Sequence, residues 1–303
     1  MRDLKKYKGI FPAFYACYDE KGEVDLKGVR ALTRYFKKQG VQGLYVNGSS
    51  GECIYLSVSE RKAILEAVME EAGHLAIIAH VACNNTRDSQ ELAAHAKALG
   101  VDAIAAIPPI YFKLPEHSIA KYWNDISQSA RGVDFILYNI PQLAGVALTK
   151  NLFLTMQENE DVAGVKNSSM AAMDIQIFKN TGRPCVVFNG PDEQLVSGLA
   201  IGADGGIGGT YGVMPRLYVK LFELVEQGEY EKARQIQNVV NEIIFTLCSG
   251  RGNMYALIKE VLRLEENLDI GGVRLPLTDV TESDRDIAGK VQELIRIAKE
   301  TFL

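Results

Sequence analysis

Short apolar and β-branched runs alternate along the chain with longer segments in which apolar residues recur at helical spacing. The short runs lie at residues 9–14, 43–46, 76–80, 103–107, 135–138, 162–166, 186–189 and 205–208, and each has the length and character of a buried strand. The periodic segments between them predict helices over 25–39, 57–71, 86–99, 115–130, 149–157, 170–179 and 193–201. Ser57 followed by Glu60 has the form of a capping box. Gly40, Gly73, Gly100 and Gly202 each stand where a helix would end in a left-handed C-cap.

Eight strand–helix units, spaced by about 30 residues, call for a parallel sheet with helical crossovers, and eight such units invite closure into a (β/α)8 TIM barrel. An open doubly wound sheet is the alternative, but no glycine fingerprint follows the first strand. The run Gly205-Gly206-Ile207-Gly208-Gly209 misses that spacing and comes far too late. Further helices are predicted over 215–227, 230–248, 253–264 and 284–302, with no linker before them. The expected organisation is therefore one domain over 1–303, with the barrel in 1–212 and a C-terminal helical extension in 213–303 packed on it.

In such a barrel the chemistry sits at the C-terminal ends of the strands. Lys166 ends the run Val162-Ala163-Gly164-Val165. An ordinary lysine is a solvated surface group. At the end of an interior strand, apolar surroundings disfavour the ammonium and leave free amine to attack a carbonyl. Tyr138 ends the preceding strand, where its phenol would be either a packed ring with a tethered hydroxyl or a proton shuttle beside Lys166. Gly48-Ser49-Ser50-Gly51 joins a strand to a helix, as a plain capped turn or as converging amides and hydroxyls that suit an anion. Asp192 and Glu193 either favour the start of the next helix or accept hydrogen bonds from sugar hydroxyls.

Composition removes other function classes. The net charge is −5 with no basic stripe, which leaves nothing to hold a nucleic acid. No apolar run is long enough to span a membrane, and the charged stretch from Met1 to Lys8 lacks the apolar core of a secretory signal. Five widely spaced cysteines read as reduced, mostly buried thiols in a cytoplasmic protein. The four histidines are unclustered, and His80 with Cys83 offers only two of the ligands a zinc site needs. No metal and no cofactor are expected.

Gly48-Ser49-Ser50-Gly51-Glu52, Tyr138-Asn139-Ile140-Pro141, Gly164-Val165-Lys166 and Gly205-Gly206-Ile207-Gly208 together resemble the dihydrodipicolinate synthase/N-acetylneuraminate lyase superfamily in order and spacing. The resemblance spans nearly the whole chain. Tyr138 through Val146 and Phe188-Asn189-Gly190-Pro191-Asp192-Glu193 are similar to the neuraminate lyase branch. The synthase branch places an arginine shortly after its Tyr-Asn-Val-Pro to hold a second carboxylate, whereas Gln142, Leu143 and Ala144 stand here. The resemblance implies a Schiff-base aldolase that cleaves N-acetylneuraminate to pyruvate and N-acetylmannosamine. A related aldolase for another 2-keto-3-deoxy sugar acid, or a synthase-like enzyme, is the enzymatic alternative; a non-catalytic sugar-acid sensor would not need Lys166.

By the same resemblance Lys166 forms the imine, Ser49 and Ser50 hold the keto-acid carboxylate, and Tyr138 moves the proton at C4. Tyr111 would join a relay with Ser49 and Tyr138 from a neighbouring subunit of a homotetramer. Ser168, Gly190, Asp192, Glu193 and the Gly208 backbone would contact the sugar hydroxyls. Ser50 stands where a threonine is common, Gly209 where relatives often carry a serine, and Pro191 where some have tyrosine.

Overall fold

A computed structural model of the chain describes residues 3–303. Met1 and Arg2, part of the charged stretch considered above, lie outside the described residues. Eight parallel strands follow in order: β1 (Gly9–Pro12), β2 (Gly43–Val46), β3 (Ala76–His80), β4 (Ala103–Ala106), β5 (Asp134–Asn139), β6 (Val162–Asn167), β7 (Val186–Asn189) and β8 (Gly205–Gly208). Helices α1 (Leu26–Lys37), α2 (Val58–Ala72), α3 (Thr86–Leu99), α4 (Glu116–Ser129), α5 (Pro141–Ala144), α6 (Lys150–Gln157), α7 (Met173–Lys179) and α8 (Leu195–Ala200) lie between them, one per connection except for α5 and α6, which both join β5 to β6. After β8 come α9 (Pro215–Glu226), α10 (Tyr230–Cys248), α11 (Met254–Glu266) and α12 (Glu282–Phe302).

β1 pairs with β8, and the seam between β1 and β2 is closed by backbone bonds from Phe14 N to Tyr45 O and from Gln42 N to Ile10 O, both 2.9 Å. The fold is the (β/α)8 barrel that the hydrophobic pattern predicts. Ser57 and Glu60 make both arms of the capping box, and Gly100 closes α3 in the left-handed region. The other three glycines depart from the expected left-handed cap: Gly73 closes α2 at φ 62°, ψ −111°, while α1 and α8 are capped earlier, by Lys38 and Ile201, ahead of Gly40 and Gly202. Most ends shift by a residue or two, and two larger differences from expectation have local causes. α7 starts at Met173 and not at Met170, because Ser169 Oγ accepts the Ala171 N–H at 3.2 Å and holds a competing turn. α5 is an extra turn started by Pro141 at its first position and ended by Gly145 in the left-handed region. Among the described residues no helix is long and apolar enough to cross a membrane.

Strand side chains sort to two faces. Tyr45, Ile78, Ala105, Ile136, Tyr138, Ala163, Val186 and Phe188 fill the barrel, while Leu44, Ile77, Ile104, Leu137, Val165 and Val187 pack against the helices. Strict alternation would put Ala163 and Val165 on the same face. They lie on opposite faces because β6 carries an irregularity: Phe135 pairs with Val162, yet the next residue, Ile136, pairs with Gly164. The extra residue resets the phase, so Lys166 points inward opposite Tyr138. Gly164 is the residue that permits it, since a Cβ there would lie 1.9 Å from the Val186 carbonyl oxygen.

The C-terminal helices are tied to the barrel's strand-end loops by buried polar contacts. From α10, Gln237 Nε2 donates to the Asp192 carbonyl and Asn241 Nδ2 to that of Glu193, both at 3.1 Å. From α11, Lys259 Nζ meets Glu52 Oε1 at 2.9 Å, with both side chains 1 % exposed. The Arg274 N–H donates to the other oxygen of Glu52 at 2.8 Å. Removing one partner of a buried ion pair leaves the other charge uncompensated. Lys259→Met is therefore expected to destabilise the fold by about 3–5 kcal/mol, and the double variant with Glu52→Gln to recover most of that. Thermal and urea unfolding would check this; a Lys259→Met protein as stable as the parent would mean the pair holds nothing in place.

Candidate active site

Lys166 lies near the C-terminal end of β6, 4 % exposed, with its register partners Tyr138 on β5 and Phe188 on β7. Its Nζ stands over two aromatic faces, 4.0 Å from the ring centre of Tyr138 and 4.1 Å from that of Tyr45. Burial pushes the amine down from 10.5 to about 7; the negative charge of Asp192 pulls it back less strongly. At neutral pH a large share of the amine is therefore unprotonated and nucleophilic.

Tyr138 is 3 % exposed, and its ring is edge-on to both Tyr45 and His80. Burial raises its phenol to about 12, although hydrogen bonds with the Ser168 and Ser49 hydroxyls stabilise the anion. The phenol is thus a protonated donor at neutral pH, not a resident phenolate. His80, whose Nδ1 lies 3.0 Å from the Asn47 carbonyl, is held neutral by burial and serves as packing for Tyr138.

The loop after β2 carries Ser49 and Ser50 in a single 3-10 turn bounded by left-handed Asn47 and Glu52. Ser49 is half-buried beside Tyr138, and Ser50 is buried with its hydroxyl donating to Tyr255 Oη at 3.0 Å. After β7, Asp192 is buried and its carboxylate turns away from its own helix. Oδ2 accepts from Thr210 N at 2.6 Å and Thr210 Oγ1 at 2.5 Å, which ties the β7 loop to the β8 loop. Burial raises this carboxyl to about 6 against the pull of the two Thr210 bonds. Asp192 Oδ1 lies against Gly208, whose carbonyl accepts from Ala13 N at 2.9 Å. Ser168 is buried with its Oγ against Gly190, and Gly190 N donates to Asn167 O at 2.8 Å. Glu193, half-buried, follows Asp192 in the same turn.

The barrel thus gathers Lys166, Tyr138, Ser49, Ser50, Ser168, Gly190, Asp192, Glu193 and Gly208 at the ends of its strands. Tyr111 is not among them. It stands at φ +85°, 89 % exposed, edge-on to Phe112, which is also exposed. Three tyrosines belong to the site without having been singled out by sequence. Tyr45 faces Lys166; Tyr15 Oη donates to the Gly209 carbonyl at 2.6 Å; Tyr255 comes from α11, far outside the barrel strands. For Tyr45 a signal existed, because it lies three residues before Gly48 in a predicted strand, whose alternate side chains must face the barrel interior.

Among the described residues no group of three or more His, Cys, Asp and Glu side chains is placed to hold a metal ion. The five thiols are free, but burial is less general than expected: Cys17 and Cys185 are buried, Cys53 and Cys83 half-buried, and Cys248, in the last turn of α10, is exposed. An alternating helical pattern marks the apolar face well within a helix and poorly at its frayed end. After the Tyr138-Asn139-Ile140-Pro141 stretch no guanidinium enters the site. Gln142 Nε2 donates to the Ser168 carbonyl at 3.1 Å, Leu143 is exposed and Ala144 is buried.

The family model described as "Dihydrodipicolinate synthetase family" matches residues 6–296. An N-acetylneuraminate lyase of Mediterraneibacter gnavus is 60 % identical over 100 % of this chain and 97 % of its own length. N-acetylneuraminate lyase 2 of Escherichia coli is 35 % identical over 95 % of this chain and 94 % of its own. Among solved structures, the wild-type sialic acid aldolase of Ruminococcus gnavus is 60 % identical with a TM-score of 0.97, covering 98 % of this chain and 100 % of that one. A catalytic lysine mutant of the same aldolase superposes with a TM-score of 0.99 at 59 % identity, over 100 % of both chains.

The depressed Lys166 amine has a stability consequence whose sign is opposite to that of a salt-bridged lysine. Below about pH 7 the amine is protonated in both folded and unfolded chains and the burial penalty is fully present. Between about 7 and the unfolded value near 10.5 the unfolded chain binds the extra proton, so the penalty fades as pH rises. Lys166→Met should therefore raise the melting temperature, and by more at pH 6 than at pH 9. Melting curves showing a pH-independent or negative change would contradict a buried, desolvated amine.

Proposed function

The chain belongs to the dihydrodipicolinate synthetase family, and we propose that within it the chain is a Schiff-base aldolase that cleaves N-acetylneuraminate reversibly to pyruvate and N-acetylmannosamine. The observation that carries the chemistry is a lysine amine buried over two tyrosine rings with its pKa lowered to about 7. The match to lyases over the whole chain supports the substrate, as does the uncharged stretch at Gln142, Leu143 and Ala144, which suits a neutral sugar aldehyde.

The unprotonated Nζ of Lys166 adds to C2 of the keto acid, and water leaves to give a protonated imine. Ser49 and Ser50, with the amides of their loop, hold the carboxylate. The imine is an electron sink: as the C3–C4 bond breaks, its electron pair moves into the C2–C3 bond to form an enamine, and C4 becomes the aldehyde carbon. Tyr138 receives the C4 hydroxyl proton while passing its own toward Ser49 or Ser168; in condensation it donates to the C4 oxygen. One proton is then needed at C3 to give the pyruvate imine, which balances the one released at C4. Water hydrolyses that imine, frees Lys166 and releases pyruvate. No external cofactor takes part in this scheme. Ser168, Gly190, Glu193, the Gly208 backbone and the Oδ1 side of Asp192 face the sugar hydroxyls.

The same reading makes the working unit a homotetramer, in which the exposed Tyr111 completes a relay with Ser49 and Tyr138 of a neighbouring subunit. The five unpaired thiols suit the cytoplasm.

Incubation with pyruvate and borohydride should leave one reduced adduct, on the Lys166 peptide, by mass spectrometry; no adduct, or one on another lysine, would overturn the mechanism. Tyr138→Phe should lower kcat by about 10²–10⁴-fold while imine trapping persists. Pyruvate release from N-acetylneuraminate should exceed that from simpler 2-keto-3-deoxy acids; the reverse order would move the substrate to that class. Mixed oligomers of Lys166→Ala and Tyr111→Phe chains, each weakly active alone, should regain activity if Tyr111 serves a neighbour. No gain on mixing would place Tyr111 outside the relay.

A further inference from the structure

Ser50 has a partner that the proposed reaction does not use. Tyr255 stands in the first turn of α11, in the C-terminal helices and not in the barrel, and is half-buried. Its backbone N–H is fixed by the Asn253 side chain at 2.9 Å, and the Asn253 N–H is held by the Thr278 carbonyl at 2.8 Å. From this anchored start the ring reaches the Ser50 hydroxyl at 3.0 Å. One turn later on the same helix, Lys259 reaches Glu52 at 2.9 Å. α11 therefore grips the Ser49–Glu52 loop at two points from a single face.

Gly209 leaves room beside the first of these contacts. A Cβ at this position would lie 3.1 Å from both Ser50 Oγ and Tyr255 Oη, tighter than carbon usually sits against such atoms. The Gly209 carbonyl is in turn held by Tyr15, whose ring packs tilted against Tyr255 at 6.1 Å. Tyr15, Gly209, Tyr255 and Ser50 form one knot in which each member limits the position of the next.

We propose that Tyr255 is a positioning residue for the keto-acid carboxylate, orienting the Ser50 hydroxyl from outside the barrel in space that Gly209 leaves open. Both groups are hydroxyls and either can donate. In the unliganded protein Ser50 donates to Tyr255. When a carboxylate arrives, the Ser50 proton turns to it and the Tyr255 O–H donates back to Ser50. No proton changes owner; two hydroxyls rotate, and each bond in the chain polarises the next. Tyr255 touches neither the imine nor C4, so its loss acts on ground-state capture of the acid and not on bond cleavage. This rests on the assignment of Ser50 to the carboxylate in the proposed function.

The test is Tyr255→Phe, which keeps the ring and removes the hydroxyl. Losing one hydrogen bond that aims a donor at a charged group should raise the KM for N-acetylneuraminate, and the pyruvate concentration that half-saturates borohydride trapping, by about tenfold, with kcat within about twofold. Trapping with pyruvamide, a ketone without the carboxylate, should be unchanged. On a Ser50→Ala background the Tyr255 substitution should have no further effect. Half-saturation by pyruvate equal to that of the parent, an equal loss for pyruvamide, or additive effects with Ser50→Ala would each overturn the proposal. Should Tyr255→Phe fail to fold, Gly209→Ala crowds the same two hydroxyls and is expected to show the same loss for pyruvate alone; an unchanged half-saturation there would overturn the proposal too. Parent protein that traps neither ketone would instead refute the aldolase reading itself.

Discussion

The burial of one amine sets the terms for the rest of this molecule. Moving the Lys166 ammonium from water to a site where its pKa is about 7 costs about 5 kcal/mol at acidic pH. That is a large fraction of a domain's net stability. The barrel can carry it because its interior is filled by side chains from nearly every strand, with Phe11, Tyr45, Phe188 and Ile207 all at zero exposure. The same filling excludes water, so the amine has ring faces for neighbours and Tyr138 keeps its proton. A wetter barrel would be more stable around a charged lysine and would leave little free amine at neutral pH.

A dry site of this kind needs loops that do not move, and the loops concerned are rich in glycine and serine, which order at high entropic cost. The C-terminal helices meet that need. Gln237 and Asn241 hold the turn that carries Asp192 and Glu193, while Tyr255 and Lys259 hold the turn that carries Ser49 and Ser50. Asp192 adds a cross-link of its own through Thr210. The extension is thus an external brace on these strand-end loops, and within it α10 packs against both α8 and α9.

Most of the architecture was legible in the sequence. Four of the strands, β2, β3, β7 and β8, run over the very residues that the apolar pattern marks, and α3 and α10 begin and end as predicted. Apolar runs, the Ser57 capping box and the glycine stop at Gly100 are local properties, and they survive folding because tertiary packing reinforces them. The departures come where a local bond competes with the pattern, as at Ser169 before α7, or where a turn is too short to show a period, as at Pro141–Ala144. Long-range partnerships were illegible. Nothing near Tyr255 marks it as a neighbour of Ser50, two hundred residues and more away along the chain. Asp192 reads locally as a helix-start acid, and only the approach of β8 gives its carboxylate to Thr210.

Lys166 shows where the division falls. The chain by itself placed a lysine at the C-terminal end of the sixth of eight strands, within one residue of where β6 stops, and a tyrosine likewise on the fifth, and parallel neighbours in a barrel bring those ends side by side. It did not determine which way the lysine points. Simple alternation from Ala163 turns Lys166 outward, into the helix layer, where it would have snorkelled to solvent. Only the pairing of Ile136 with Gly164, with one residue of β6 left over, sends it inward to Tyr45 and Tyr138. A bulge is a property of two strands in register, not of one strand's residues. That is why the candidate nucleophile was nameable from sequence, while the environment of its amine was decided by the tertiary structure.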